Sequence, residues 1–250
     1  MPWSLRLNSL VHVPLVRRGF RRLVEQIVPG ALIFEVVRTR FMDDVLREEV
    51  RAGARQLVLL GAGYDSRAYR FADLLEGVGV FEVDHPVTSR LKRERVRKSF
   101  GSLPEDVSYV EIDFESQDLA EVLDEAGYDE AARTLFIWSG VAPYISEEAV
   151  VSVLDFVREG SGSGSVIVFD YIYREFLDGD DSYFGAKQLR RAVEGQGEPF
   201  RSGIPAGGLE AFVGERGLEL ARAVTAADFP DLAGQSYDCG GICVARTPGF

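Results

Sequence analysis

The sequence predicts a doubly wound α/β fold. Short apolar runs recur from residue 56 onward, and stretches of helical length and spacing separate them. The runs are residues 57–61, 78–84, 107–113, 134–140 and 165–170, and the helical stretches are residues 66–76, 86–100, 117–128 and 146–158. Apolar strands that alternate with helices indicate parallel βαβ units whose sheet is covered on both faces. The fold class is therefore α/β with a mostly parallel, Rossmann-like sheet.

The C-terminal third departs from this alternation. Residues 206–216 have a helical pattern, and two strands follow at 218–225 and 237–246 without a helix between them. Two consecutive strands joined by a loop run antiparallel, so we expect an antiparallel pair at the C-terminal edge of the sheet. Residues 171–205 are aromatic and poorly periodic. We expect this segment to form a lid-like insertion.

Two helices are predicted before the first strand. They cover residues 7–28 and 31–52 and are broken at the Pro-Gly pair 29–30. A helix that precedes the first strand has no part in the βαβ alternation, so it is a candidate to cover the ligand crevice. We therefore predict an N-terminal helical cap over residues 1–55 and a principal domain over residues 56–250.

Composition and charge exclude several classes of protein. The 250 residues are 46% hydrophobic and 27% charged, and the formal net charge is −12. Such an acidic chain is not expected to bind nucleic acid or an anionic membrane surface. The sequence shows neither a membrane span nor a secretory signal. Two cysteines exclude a disulfide framework, which favours a cytoplasmic setting. Oligomeric state is left open.

Several charged or cysteine-containing patterns are interpreted as structural. Arg17/Arg21 and Arg18/Arg22 lie four residues apart and predict one basic helix face, solvated or closing over an anionic substrate. The basic run at 90–98 is interpreted as a solvated face. Cys239 and Cys243 have no companion ligands for zinc, and the acidic run at 178–181 does not complete a calcium loop, so no metal site is predicted.

Three consecutive strand ends carry residues suited to an adenosine. The first predicted strand runs into Gly61 and Gly63, which allow a sharp turn and a close approach of the backbone to a ligand. The second ends in Asp84, 23 residues after Gly61, where an acid can accept hydrogen bonds from both ribose hydroxyls. The third ends in Asp113 and Phe114, which can hold the adenine amino group and pack on the ring. Together they predict an adenosine site at this edge of the sheet.

The charges around the turn indicate which adenosine cofactor is bound. A dinucleotide favours a third glycine where this chain has Ser66, and Asp65 and Asp84 would surround its pyrophosphate with negative charge. S-adenosylmethionine has no phosphate and carries a sulfonium and an ammonium group, so an acidic pocket attracts it. Its carboxylate requires a cation, for which Arg38 and Arg40 on the helix before the first strand are the candidates. The sequence predicts S-adenosylmethionine as cofactor, and a nicotinamide-dependent oxidoreductase is the minor alternative.

These stretches also resemble a known family. LVLLGAGYDSRAYRF at 57–71 and FEVDHP at 81–86 resemble the leucine carboxyl methyltransferase family, including its bacterial branch of tetracenomycin-type polyketide O-methyltransferases. The resemblance extends from VRTRFMDD, around Arg38, to GEPFRSGIPAGGLEAF at 197–212. It implies the class I methyltransferase fold, S-adenosylmethionine as cofactor and transfer of a methyl group to a carboxylate or hydroxyl oxygen of a small molecule.

The resemblance also implies roles for individual residues. Arg38 would bind the cofactor carboxylate, with Arg40 as the alternative. Gly61 and Gly63 would form the cofactor turn, Asp84 would hold the ribose, and Asp113 and Phe114 would surround adenine. The chain departs from the family where E-G-V-x-x-Y is expected, because residues 139–144 read SGVAPY. Ser139 is still expected at the cofactor but cannot supply the charge of a glutamate. A non-catalytic relative that binds cofactor or a partner protein is therefore the second function considered.

The catalytic group is not specified by the sequence. Methyl transfer depends mainly on holding the acceptor oxygen in line with the methyl group, and a carboxylate acceptor needs no base. The two histidines, His12 and His85, are interpreted as structural. Tyr144, Asp170 and Tyr171 lie near strand ends and are the candidates to contact the acceptor.

Overall fold

The chain forms a seven-stranded sheet flanked by helices within the part that the computed structural model describes, residues 28–196, 199–225, 228–229 and 236–249. The strands are β1 (Gln56–Leu60), β2 (Gly79–Asp84), β3 (Val107–Glu111), β4 (Thr134–Trp138), β5 (Val166–Ile172), β6 (Glu219–Val224) and β7 (Gly240–Arg246). The helices are α1 (Ala31–Arg51), α2 (Arg67–Arg70), α3 (Pro86–Phe100), α4 (Leu119–Glu125), α5 (Glu147–Glu159), α6 (Arg174–Leu177), α7 (Ala186–Gln196) and α8 (Leu209–Gly214). Most of the predicted first helix, His12 and the arginines at 17–22 lie outside the described residues.

The strand order is β3-β2-β1-β4-β5-β7-β6. The first five strands in this order are parallel, and β7 runs antiparallel to both β5 and β6. The predicted antiparallel pair at the C-terminal edge is confirmed. The direction of winding reverses between β1 and β4, and ligands of open α/β sheets bind at the carboxyl ends of the strands at such a point.

Burial explains why these segments are strands. Every residue of β1, β4 and β5 is buried, as expected for parallel strands covered on both sides. One sheet face packs against α4, α5 and α8, and the other packs against α1 and α2. Among the described residues, the largest fully buried side chain is that of Trp138, at the end of β4.

Helix α1 forms part of a layer on the sheet. It begins after Gly30, whose φ of 83° is in the left-handed region. Its buried residues recur at the three- and four-residue spacing of one helix face and share a core with β1 and β4. The division into a cap at residues 1–55 and a domain at 56–250, with a lid-like insertion at about 171–205, stays a prediction. No helix among the described residues has the length and apolarity to cross a bilayer.

The predicted helix at residues 66–76 was wrong in length. Helix α2 covers only Arg67–Arg70, and the chain then turns until Gly77, whose φ is 78°. The ion pairs of Arg67 and Arg70 with Asp43 of α1 fix this segment against its neighbour. Such tertiary contacts override helical propensity in a short segment. The predicted helix at 206–216 is likewise reduced to α8.

Candidate active site

A crevice of about 890 Å³ opens at the carboxyl ends of the central strands. Its walls come from the turn after β1, the ends of β2 and β4, the residues after β3, and one side of α1. The structure brings all eight of the predicted cofactor-binding residues to this crevice, namely Arg38, Gly61, Gly63, Asp65, Asp84, Asp113, Phe114 and Ser139. The alternative cation, Arg40, is exposed and does not line the crevice formed by the described residues.

The turn after β1 requires glycine. Gly61 has φ of 62° and Gly63 has φ of 43°, both in the region that side chains disfavour. A Cβ atom on Gly61 would also come within 2.3 Å of Val141 Cγ2. The sequence therefore folds this segment into a turn whose backbone is open to the crevice.

Hydrogen bonds fasten the turn to the neighbouring strand. The Ala62 N–H donates to Val83 O at 3.0 Å, and the Gly63 N–H donates to Asp84 Oδ2 at 2.5 Å. Lys92, which is buried and does not line the crevice formed by the described residues, donates from Nζ to Ala62 O at 3.2 Å. The turn and the end of β2 thus form one hydrogen-bonded unit.

Asp84 is oriented by two backbone donors. Besides Gly63, the His85 N–H donates to its Oδ1 at 2.7 Å. Burial raises the pKa of Asp84, and the two backbone hydrogen bonds oppose that rise. Each carboxylate oxygen retains a further lone pair for a ligand hydroxyl. His85 caps the N-terminus of α3, where its Nδ1 accepts a hydrogen bond from the Val87 N–H at 3.3 Å.

The residues after β3 combine an acid with an aromatic ring. The Phe114 ring packs against Trp138 with centroids 6.5 Å apart, while Asp113 Oδ1 accepts a hydrogen bond from the Glu115 N–H at 3.1 Å. Hydrogen bonds from Ser146, together with the guanidinium of Arg201 at 2.6 Å, hold the pKa of Glu115 below its usual range. A flat apolar surface beside acceptor groups suits a purine base.

Arg38 stands at the opposite end of the crevice. Its Nη1 donates to Asp170 Oδ2 at 2.8 Å and its Nη2 donates to Glu35 Oε2 at 2.6 Å. Burial alone lowers the pKa of Arg38, but the carboxylates of Asp170 and Glu35 raise it above its usual value. The Gly140 N–H donates to Asp170 Oδ1 at 2.6 Å. These contacts fix the guanidinium beside the residues that follow β4.

Asp65 is already paired. Its Oδ1 accepts a hydrogen bond from the Arg67 N–H at 2.7 Å, and its Oδ2 contacts the guanidinium of the same residue. The Arg67 side chain is 5% exposed and also binds Asp43. Asp65 lines the crevice as predicted, but the arginine two residues later neutralises the charge expected to attract an ammonium group.

The three candidates for contact with the acceptor are placed differently. Tyr144 lines the crevice. Asp170 is buried and bonded to Arg38 and Gly140, and it is not part of the crevice wall formed by the described residues. Tyr171 lines a separate cavity of about 70 Å³ on the other side of the sheet, where burial raises its pKa. The structure therefore brings only Tyr144 of these three to the described crevice.

Sequence patterns did not single out Glu35 or Lys92. Glu35 lies three residues before Arg38 on α1, a spacing that places both on one side of a helix. Lys92 was included in the basic run interpreted as a solvated face, and that interpretation is wrong for this residue, which is 4% exposed. Its buried neighbours Ser89 and Val96 lie three and four residues away, and this spacing was the available signal.

The chain is similar in sequence to a known family and to named relatives. A sequence model of the leucine carboxyl methyltransferase family matches residues 17–158, more than half of the chain. The "Putative S-adenosyl-L-methionine-dependent methyltransferase YktD" of Bacillus subtilis is 30% identical over 204 residues, which are 79% of this chain and 64% of the relative. A Mycobacterium marinum protein with the same designation is 33% identical over 80% of this chain and 61% of its own length. The chain thus spans less than two thirds of the length of these relatives.

Solved structures show the same fold. A Thermobifida fusca protein described as a candidate methyltransferase superposes with a TM-score of 0.67 at 15% identity, covering 93% of this chain and 88% of the other. A Streptomyces avermitilis protein superposes with a TM-score of 0.58 at 21% identity, covering 82% of each chain. The doubly wound sheet is that of the class I methyltransferases, and the family match rests on the segment that forms the crevice. The chain belongs to the leucine carboxyl methyltransferase family.

Proposed function

We propose that the protein is an S-adenosylmethionine-dependent methyltransferase that acts on an oxygen atom of a small molecule. The observation that carries the proposal is the order of groups along the crevice. An acid and an aromatic ring follow β3, Asp84 ends β2, the glycine turn follows β1, and Arg38 lies beside the residues after β4. This order matches adenine, ribose, sulfur and amino acid in one extended ligand.

Each part of the crevice has a defined task with this cofactor. Phe114 packs on the adenine ring, Asp84 accepts hydrogen bonds from the ribose hydroxyls, and Arg38 binds the carboxylate by charge-assisted hydrogen bonds. Arg38 Nε is buried and has no partner among the described residues, so it can donate to a ligand. When bound, the cofactor supplies a methyl group that its sulfonium has already activated.

The acceptor is proposed to be a carboxylate or a readily ionised hydroxyl. Apart from carboxylates, the crevice formed by the described residues offers Tyr64, Tyr144 and His85 as proton acceptors. Tyr64 is mostly exposed, and the His85 ring is engaged at the start of α3. With few bases available, the protein mainly positions an acceptor that is already anionic and excludes water from it. Polyketide-type secondary metabolites are the first acceptors to test, because of the resemblance to tetracenomycin-type enzymes. The cytoplasmic setting and the absence of nucleic-acid or membrane partners stay predictions.

Calorimetry tests the cofactor. We expect S-adenosylmethionine and S-adenosylhomocysteine to bind, and we expect Asp84→Ala to abolish binding because the ribose loses its acceptor. Asp73→Ala is the matched control, since Asp73 is exposed and lies outside the crevice. No binding of either ligand at millimolar concentration would overturn the proposal. A titration with reduced nicotinamide dinucleotide tests the oxidoreductase alternative, against which Ser66 and the acidic wall argue.

A second candidate function follows from Ser139, which lines the crevice without a charge. In that case the protein binds the cofactor but transfers no methyl group. Incubation with labelled cofactor and a panel of carboxylates and phenols separates the two functions. A labelled product supports the methyltransferase, and a label that survives mild base indicates an ether instead of a methyl ester. Cofactor binding with no product across the panel favours the second candidate.

A further inference from the structure

Most acidic groups of the crevice are held by other groups. Asp65 is paired with a buried arginine, Asp84 accepts two backbone N–H groups, and Glu115 is bonded to Ser146 and Arg201. Ser139, the crevice residue directly before Gly140, carries no charge. The ligand ammonium group therefore needs another acid at this end of the crevice.

Glu35 lies at that end. It lines the crevice, and its Oε2 is 2.6 Å from Arg38 Nη2. Unlike the Asp65 side chain, which is 12% exposed, that of Glu35 is 51% exposed, so it can reach a ligand. The same Nη2 is 3.2 Å from the position that a Cβ atom on Gly140 would occupy. Arg38 thus connects Glu35 to the residues that follow β4, at the side of the crevice remote from Asp113.

We propose that Glu35 binds the ammonium group of the cofactor's amino acid end while Arg38 binds its carboxylate. This inference rests on the proposed function and adds a binding residue to it. In the free protein the two side chains satisfy each other as an ion pair. A zwitterionic amino acid presents the complementary pair of charges at a similar separation, so it exchanges one ion pair for two charge-assisted contacts.

The electrostatics of α1 favour this role. Burial raises the pKa of Glu35, while Arg38 opposes the rise and Asp170 adds to it. A second cation beside Glu35 therefore stabilises its ionised form. In Glu35→Gln, Arg38 keeps Asp170 as its counter-charge at 2.8 Å, so we expect the fold to remain intact.

Calorimetry with three ligands tests the assignment in the full chain. We expect Glu35→Gln to weaken S-adenosylhomocysteine binding about tenfold, because a charge-assisted hydrogen bond to the ammonium is lost. Glu35→Gln should weaken the binding of decarboxylated S-adenosylmethionine by a similar factor, because this ligand keeps the amine and lacks only the carboxylate. Methylthioadenosine lacks the amino acid end and should bind as it does to the unaltered protein. Ser139→Glu added to Glu35→Gln should restore most of the lost affinity.

Asp44→Asn is the matched control. Asp44 is the acid of another i,i+3 pair on α1, 2.7 Å from Arg47, and it does not line the crevice formed by the described residues. If Glu35→Gln bound the ligands with the same affinity as Asp44→Asn, the inference would be overturned and the proposed function would still stand. An equal loss for methylthioadenosine would also overturn it, since the effect would then not concern the amine. Failure of the unaltered protein to bind any of the ligands would overturn both.

Discussion

Lys92, which does not line the crevice formed by the described residues, donates a hydrogen bond from Nζ to the carbonyl oxygen of Ala62 at 3.2 Å. The same ammonium group forms an ion pair with Glu82 Oε1 at 2.8 Å, and both side chains are at most 5% exposed. The Tyr69 hydroxyl donates to the other oxygen of Glu82 at 3.0 Å. A buried charge pair between α3 and β2 is thus hydrogen-bonded to the glycine turn and supports it.

Replacing one partner of this pair should be strongly destabilising. Lys92→Met leaves Glu82 buried without its counter-charge, so we expect the free energy of unfolding to fall by about 3–5 kcal/mol. Adding Glu82→Gln removes the unpaired charge and should recover a large part of the loss. Affinity for S-adenosylhomocysteine should stay reduced in the double variant, because Ala62 O still lacks its donor. Urea denaturation and calorimetry measure the two effects.

Arg93→Met is the control for Lys92. Arg93 is the next residue of α3 and pairs with Glu111 at 3.4 Å, with both side chains about one third or more exposed. Exposed pairs contribute little, so its effect on unfolding should stay below about 1 kcal/mol. If the double variant bound the ligand as well as the unaltered protein, Lys92 would serve stability alone.

Asp84 should make ligand binding depend on pH. Burial raises its pKa above the 3.8 of an ordinary aspartate, so it becomes protonated at a higher pH than an exposed one. Only the ionised carboxylate accepts hydrogen bonds from both ribose hydroxyls, so affinity should fall as the pH decreases through this raised pKa. Asp84→Asn should bind more weakly and without this decline. Calorimetry between pH 4 and pH 8 compares the two, and parallel profiles would contradict the prediction.

The same raised pKa has the opposite sign for stability. The folded protein holds the Asp84 proton more tightly than the unfolded chain. Protonation of Asp84 therefore adds to the free energy of unfolding at low pH, and this contribution is lost as the pH rises through the pKa of the folded state. We therefore expect Asp84→Asn to become more stable, relative to the unaltered protein, as the pH increases from 4 to 7. Urea denaturation at several pH values gives this difference directly.

The sequence predicted the strand ends well for a physical reason. Gly61, Asp84 and Asp113 directly follow or end apolar runs, and parallel strands bring their carboxyl ends to one edge whatever the side-chain contacts are. These positions therefore depend only on periodicity and topology. The parallel order of the first five strands and the antiparallel edge pair follow from the same two features.

Charge pairing could not be predicted in this way. Asp65 was expected to attract an ammonium group, but Arg67 neutralises it while also reaching Asp43 on α1. Which of many arginines meets which acid depends on how α1 packs on the sheet, and no local pattern encodes that. The burial of Lys92 differs, because its spacing from Ser89 and Val96 was a local signal within the basic run.

Asp170 is expected to act as a structural anchor. Asp170→Asn keeps an acceptor for the Gly140 N–H but removes the charge opposite Arg38. We therefore expect the free energy of unfolding to fall by about 1–3 kcal/mol. Because its carboxylate does not line the crevice formed by the described residues, the pH profile of kcat should keep its shape. Thermal unfolding and initial rates across pH check both parts. Loss of an ionisation from the kcat profile in this variant would instead make Asp170 a proton acceptor.

Gly61 combines two separable constraints, a positive φ and a close approach to Val141. Gly61→Ala introduces both penalties, because its Cβ would lie 2.3 Å from Val141 Cγ2 at φ of 62°. The backbone penalty alone is about 1–2 kcal/mol, and the clash adds to it. Adding Val141→Ala should relieve the clash and leave the backbone term. Gly77→Ala isolates that term, since Gly77 has φ of 78° and no atom within 4 Å of its Cβ position. Urea denaturation should therefore rank Gly61→Ala as the least stable variant, and the double variant should approach the stability of Gly77→Ala. An equal loss of stability in Gly61→Ala and Gly77→Ala would instead show that Val141 moves aside freely.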